Sequence, residues 1–125
     1  MKVYLAAPYA SMPATREEAR HFESAGHEVT ARWLNGDEEG KGEAAGAQMD
    51  IDDIERADAL VIYTFERGTK FTGGGRFVEM GYALALAKHV VVVGGRENVF
   101  CHLPRVAVVG DTLAAIALLG RHNAK

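Results

Sequence analysis

One acidic residue, Glu79, lies early in an apolar segment that follows three glycines. The segment covers residues 73–87, with the sequence GGGRFVEMGYALALA, and it predicts a helix that is apolar on every side and therefore buried. A buried carboxylate is costly unless it is paired or faces a cleft, and the N–H groups of a helix N-terminus lower that cost. Glu79 is therefore a candidate nucleophile or general base. The alternative interpretation is a salt bridge to Arg76, three residues earlier.

The elements that must position this glycine-led helix alternate between strands and helices, which predicts a parallel sheet with helices on both faces. We expect strands at residues 2–7, 27–33, 59–65, 89–93 and 105–109, and further helices at residues 15–25, 43–57 and 112–119. Right-handed crossovers favour an α/β, flavodoxin-like three-layer sandwich with strand order 2-1-3-4-5. Because ligands bind at the carboxyl ends of such strands, Glu79 should share that edge with the loops after the first four strands.

The helix expected at residues 43–57 carries a second candidate, Asp50. Its core-facing residues are expected to be Ala47, Ile51 and Ile54. Asp50 lies beside this stripe and could reach a ligand at the edge where the helix begins, although a solvent-facing aspartate is an equal interpretation. Asp52 and Asp53 are expected at the surface. The glycine-rich, acidic segment 35–42 is expected to be an exposed loop.

Composition excludes several classes of protein. A chain of 125 residues, with 48% hydrophobic and 25% charged residues, predicts one globular domain over residues 1–125. The net charge of −3 argues against a nucleic-acid polymer or an anionic membrane as a partner. No apolar run approaches the roughly 20 residues of a membrane-spanning helix. Cys101 is the only cysteine, which excludes an internal disulfide and fits a reducing cytoplasm.

Several familiar sites lack essential parts in this sequence. The loop after the first strand has no G-x-G-x-x-G pattern, so a nicotinamide dinucleotide site is not expected. The three glycines are not followed by Lys and Ser or Thr, as a Walker loop requires. The first strand ends in Ala7-Pro8, where a phosphoacceptor domain would carry acids. The five histidines show no metal-ligand spacing, so we expect neither a metal nor a cofactor.

The segment GRFVEMGYA, at residues 75–83, is followed by Lys88 and a strand rich in valine. It resembles the signature of the nucleoside 2-deoxyribosyltransferases and of the related 2′-deoxynucleoside 5′-monophosphate N-glycosidases. The likeness extends from Tyr4 to about Pro104, and residues 50–58 are its second specific part.

The resemblance implies cleavage of the N-glycosidic bond of a (2′-deoxy)nucleoside or its 5′-monophosphate. Glu79 would be the nucleophile, Asp50 would handle the base, and Tyr4 would orient the nucleophile. The sugar would pass to another base in a transferase or to water in a hydrolase. A catalytically silent nucleotide-binding module is the rival from another class, and it would have no use for an intact Glu79.

The resemblance and the edge placement together suggest the residues that contact substrate. They are Tyr9, Ser11, Thr72, Gly73, Gly75, Arg76, Asn98 and Phe100. In the family, a segment similar to Asn98-Val99-Phe100 comes from a neighbouring subunit, which implies a homodimer or higher homo-oligomer. Gly73 replaces an aspartate that contacts the base in the transferases, six residues before the nucleophile. The related hydrolases hold the 5′-phosphate with small hydroxyls and an arginine, and Ser11, Thr72 and Arg76, with Arg67 and Lys70 nearby, could do the same. The alternative is that these cations are solvated loop charges.

Overall fold

A single parallel sheet organises the structure, a computed structural model that describes residues 1–65 and 74–123. Its strands are β1 (Lys2–Ala6), β2 (Glu28–Val29), β3 (Ala59–Tyr63), β4 (His89–Val93) and β5 (Val106–Val109). The helices are α1 (Met12–Ser24), α2 (Glu43–Arg56), α3 (Gly75–Ala85) and α4 (Thr112–Asn123). The strand order β2-β1-β3-β4-β5 and the helices on both faces confirm the predicted flavodoxin-like sandwich.

The core lies along the three central strands, β1, β3 and β4. Their side chains are almost all buried, because α2 and α3 cover one face of the sheet and α1 and α4 the other. Strands that are covered on both faces are apolar without alternation, and the sequences VYLA and VVVV show this. Within the part of the chain that the structure describes, no helix is long and apolar enough to cross a membrane.

The predicted strand at residues 27–33 is wrong beyond Val29. Only Glu28 and Val29 pair with β1, and residues Arg32–Asn35 form a 3-10 helix instead. The indole N–H of Trp33 donates to the backbone oxygen of Leu5 at 3.0 Å, and this hydrogen bond holds the turn against β1. The apolar side chains of residues 31–33 that were expected to belong to a strand instead enter the core from this turn.

Asp53 is the second correction, because it is fully buried and not at the surface. Its carboxylate accepts hydrogen bonds from the backbone N–H of Arg32 at 2.9 Å and from the Arg32 Nε at 2.8 Å. The Arg56 guanidinium donates to the same carboxylate at 2.9 Å. The Thr30 hydroxyl donates to the Asp53 backbone oxygen. These contacts bend the chain after β2 toward α2, so β2 ends early.

The rotation of α2 also differs from the prediction. Ala47 is exposed and Ile51 is only half-buried. The buried residues are Gly46, Met49, Asp53 and Ile54. The cause is that Asp53 must face inward to meet its arginine partners, which turns the helix away from the stripe expected from apolar residues alone.

The glycine-led helix is not buried on every side, as its apolar sequence had predicted, since one apolar face of α3 is open. Val78 is 71% exposed, and Gly81 and Ala85 are exposed on the same face. Other boundaries differ less: α1 begins at Met12, with Pro13 in its first turn, and α4 continues to Asn123. A proline is well tolerated in the first turn, where its missing N–H is not needed.

We predict that Asp53→Ala lowers the free energy of unfolding by about 2–4 kcal/mol, because it leaves the Arg32 backbone N–H and two guanidinium groups without their acceptor. Asp52→Ala is the matched control, since Asp52 is exposed and accepts one hydrogen bond, from Gln48. The control should stay within about 0.5 kcal/mol of wild type. Urea denaturation of the three proteins measures both effects, and equal losses would contradict the structural role of Asp53.

Candidate active site

A pocket opens at the carboxyl edge of the sheet, where the sequence predicted a site. It is lined by Ala7, Pro8, Tyr9, Trp33, Glu38, Asp50, Gly75, Arg76 and Glu79. A second cavity adjoins it and shares Tyr9, Glu38 and Asp50. Their volumes of about 230 and 450 Å³ together lie within the range of small-molecule sites. The pocket therefore suits a ligand of moderate size that reaches from α3 to α2.

Glu79 is held by Tyr4, and not by Arg76. Tyr4 lies on β1 with no exposed surface, and its hydroxyl donates to Glu79 Oε2 at 2.5 Å. Burial, and then the nearby charges of Glu79 and Asp50, raises the pKa of Tyr4 far above its ordinary value, so Tyr4 stays a hydrogen-bond donor. Burial raises the pKa of Glu79 to about 7, although the Tyr4 hydrogen bond opposes that rise. Glu79 is thus a carboxyl group that ionises near neutral pH.

Asp50 faces Glu79 from α2. Burial raises the pKa of Asp50 to about 9, and the neighbouring carboxyls of Glu38 and Glu79 contribute to the increase. Like charges at close range disfavour joint ionisation, so the acid with the higher pKa keeps its proton. At neutral pH the pocket therefore holds a protonated Asp50 beside a Glu79 that can ionise. Such a pair has the properties of a general acid and a nucleophile.

Glu38 is a residue of this pocket that the sequence interpretation missed, because the segment 35–42 was expected to be exposed. Its side chain lies against Gly46 of α2, and a Cβ atom on Gly46 would be 3.4 Å from Glu38 Oε2. The missed signal was Gly46 itself. Glycine is unfavourable inside a helix, so its presence there indicates that another group packs closely against the backbone.

Arg76 is buried beside the pocket and already carries a counter-charge. Its Nη2 donates to Glu97 Oε2 at 2.6 Å, and its guanidinium lies 4.4 Å from the centre of the Phe77 ring. Glu97 also accepts the backbone N–H of Phe65 at 2.8 Å, which ties the end of β3 to the start of α3. Among the described residues, the buried Nη1 of Arg76 has no hydrogen-bond partner. Arg76 therefore offers N–H groups to a ligand but little net charge.

The remaining predicted contacts fall into three groups. Tyr9 and Gly75 line the pocket, and the Tyr9 ring lies 6.2 Å from that of Trp33. Ser11 does not line it, since its hydroxyl donates to the Pro8 backbone oxygen at 2.7 Å and stabilises the loop after β1. Thr72 and Gly73, together with Arg67 and Lys70, lie outside the described residues.

Asn98 and Phe100 lie on the far side of α3 from this pocket. The Asn98 side chain accepts the backbone N–H of Phe100 at 3.0 Å and caps the 3-10 helix Val99–His102. Both residues line a separate cavity against the open face of α3, beside Val78 and Gly81. Within one chain, these two residues are therefore not brought to Glu79.

Comparison with known proteins bears on the fold. No family model matches this sequence, and no curated protein is detectably similar to it. The structure is similar to that of the CMP N-glycosidase BcmB from Clostridium botulinum, with a TM-score of 0.65 and 17% identity over 97% of this chain and 99% of that one. It is also similar to a 2-deoxyribosyltransferase from Bacillus psychrosaccharolyticus, with a TM-score of 0.68 and 16% identity over 93% and 90% of the chains. The chain shares the fold of both kinds of enzyme that its glycine-led motif resembles.

We predict that Tyr4→Phe raises the pKa of Glu79 above its value near 7, because the carboxylate loses the hydrogen bond that favours ionisation. A charge-assisted hydrogen bond of about 1.5 kcal/mol corresponds to a new pKa of roughly 8. Titration of the glutamate carboxyl carbons by NMR measures this change. Tyr63→Phe is the control, since the Tyr63 hydroxyl contacts Thr112 and not Glu79. An unchanged Glu79 pKa in Tyr4→Phe would contradict the assignment.

Proposed function

We propose that this protein cleaves the N-glycosidic bond of a (2′-deoxy)nucleoside or its 5′-monophosphate through a covalent glycosyl-Glu79 intermediate. One observation carries the proposal: a buried carboxyl with a pKa near 7 is oriented by a tyrosine hydroxyl and faces a second acid with a pKa near 9. The fold shared with an N-glycosidase and a deoxyribosyltransferase supports the same class of reaction. A silent binding module would have no use for two such acids in one pocket.

In the first step, an ionised Glu79 oxygen attacks C1′ of the sugar. The C1′–N bond breaks as the C1′–O bond forms, and the electron pair of the broken bond goes to the base. The transition state has oxocarbenium character, which an adjacent carboxylate stabilises and can trap as an ester. Tyr4 keeps its hydrogen bond to the other oxygen, so the attacking oxygen is held toward the pocket.

Asp50 supplies the proton that the departing base needs. A nucleobase is a poor leaving group as an anion, and protonation of a ring nitrogen makes it a neutral one. Asp50 is protonated at neutral pH, so it can act as this general acid. In the second step, the resulting carboxylate removes a proton from the incoming water or base as it attacks C1′ and releases Glu79. Water gives a hydrolase, and a second base gives a transferase.

A strict 2′-deoxynucleoside 5′-monophosphate N-hydrolase is the second candidate, and the buried Nη1 of Arg76 favours it. This nitrogen has no partner among the described residues, and Arg76 lines the pocket near the N-terminus of α3, where anions are favoured. Against it, Glu97 neutralises the Arg76 charge and the other charged groups of the pocket are acids. Nucleosides and their 5′-monophosphates should therefore both be tested as substrates.

We further propose that the active species is at least a dimer. Val78, Val99 and Phe100 are 71%, 66% and 60% exposed around the open face of α3. Apolar side chains grouped in this way are typical of a surface covered by a partner. The family resemblance implies that a second copy docked there would supply its Asn98 and Phe100 to the neighbouring pocket.

The central test replaces Glu79 by glutamine. Wild type, Glu79→Gln and Glu55→Gln are incubated with deoxynucleosides and their monophosphates, with and without a free acceptor base, and released base is measured. Glu79→Gln should lose at least a thousandfold in kcat/KM, and no sugar adduct should be trapped on it by mass spectrometry. Glu55→Gln is the control, because Glu55 is exposed on α2 and bonds to Tyr82 away from the pocket. Turnover of Glu79→Gln within about tenfold of wild type, a change of only about 1.4 kcal/mol in the activation free energy, would contradict the proposal.

Assembly is tested by mixing two inactive variants. Glu79→Ala lacks the nucleophile and Asn98→Ala lacks the group supplied in trans, so a hybrid dimer should contain one complete site. Subunit exchange should then restore up to about a quarter of the wild-type activity, because random pairing makes about half of the dimers hybrid and each hybrid has one complete site of two. Sedimentation at the assay concentration checks that dimers are present. A fully active monomer would overturn the dimer proposal.

A further inference from the structure

Two buried carboxyl oxygens in the pocket accept no hydrogen bond from an N–H or hydroxyl group of the described residues. They are Oδ1 of Asp50 and Oε1 of Glu38. Both residues line the pocket of Glu79 and the cavity that adjoins it. The Arg76 side chain, 4% exposed, lines the same pocket and also has an unpartnered nitrogen, Nη1. The two carboxyl groups lie within hydrogen-bond reach of each other, so a protonated Asp50 donates to Glu38. Arg76 Nη1 has no such partner, and because buried polar atoms are normally paired, it indicates a ligand in this pocket.

The position of Glu38 is fixed relative to Asp50. The Glu38 carboxyl packs on Gly46, and Asp50 lies one turn further along the same face of α2. The aromatic rings of Tyr9 and Trp33, tilted by 34° to each other, line the pocket next to them and offer an apolar wall. A planar heterocycle beside this wall would direct one edge at the two acids, while its sugar points toward Glu79.

The two acids then meet neighbouring positions on the edge of the base. If Asp50 protonates a ring nitrogen, as the proposed function requires, Glu38 is placed to meet the exocyclic group next to that nitrogen. In adenine and cytosine this group is an amino group, which donates a hydrogen bond to a carboxyl oxygen. In hypoxanthine and uracil it is an oxo group, which only accepts and is repelled by a carboxylate.

We propose that Glu38 is a specificity residue that accepts a hydrogen bond from the exocyclic amino group of the base, so that the site selects adenine or cytosine over hypoxanthine and uracil. This inference rests on the proposed function for the direction in which the base enters. The raised pKa of Asp50 agrees with it, since a protonated Asp50 and an accepting Glu38 offer one donor and one acceptor. A ligand that leaves a buried acceptor without a hydrogen bond is strongly disfavoured.

The experiment compares substrates that differ only in this group. kcat/KM is measured for deoxyadenosine against deoxyinosine and for deoxycytidine against deoxyuridine, and for the same pairs as monophosphates. Wild type should prefer the amino member of at least one pair by roughly ten- to a hundredfold. In Glu38→Gln, whose amide can also donate, the preference should fall to about threefold or less, mainly by a gain on the oxo substrate. Asp37→Asn is the matched control, since Asp37 is exposed and lines neither cavity, and it should keep the wild-type ratio.

Binding separates this inference from the proposed reaction. Calorimetry with free adenine and free hypoxanthine, and with cytosine and uracil, needs no turnover. Selective binding of an amino base that Glu38→Gln abolishes would support the role of Glu38 even if no glycosidic bond is cleaved. Equal kcat/KM values and equal affinities within each pair in wild type, or a preference that Glu38→Gln leaves unchanged, would overturn it. The reaction proposed for Glu79 is tested separately, by the Glu79→Gln assay.

Discussion

The hydrogen bond from Tyr4 to Glu79 is the contact on which the site depends. Burial alone would push a carboxyl in α3 toward its neutral form. Tyr4 opposes this, because its hydroxyl approaches within 2.5 Å of the Glu79 carboxylate and the Tyr4 side chain has no exposed surface. Tyr4 lies on β1, which pairs with β2 on one side and β3 on the other, so its position is set by the sheet. The orientation of the proposed nucleophile is therefore determined by a strand inside the sheet.

The two aspartates of α2 show how environment decides the role of one residue type. Asp53 is buried but meets two guanidinium groups and a backbone N–H, and it serves to join α2 to the chain after β2. Asp50, three residues earlier, faces other carboxyl groups. Among the described residues it meets no cation that lacks a counter-charge, and it stays protonated to an unusually high pH. A protonated acid in a pocket is available for chemistry, whereas a fully paired carboxylate is not.

Helix α3 connects the pocket with the outer surface of the protein. Its inner face carries Glu79 toward Tyr4 and Asp50, while its outer face exposes Val78 beside Phe100. Arg76 and Glu97 anchor the start of this helix to the end of β3. A partner that covered the outer face would thus contact the same helix that holds the proposed nucleophile.

The sequence by itself determined the sheet, its strand order and the edge at which Glu79 lies. These features follow from apolar periodicity and from the handedness of crossovers, which are local or general properties of a chain. The tertiary structure alone decided which polar groups meet. Arg76 pairs with Glu97, and not with Glu79 on its own helix, while Asp53 turns inward to Arg32 and shortens β2. Glu38 reaches Asp50 because Gly46 leaves room for it. Such pairings depend on residues that are distant in sequence, and no local pattern of polarity records them.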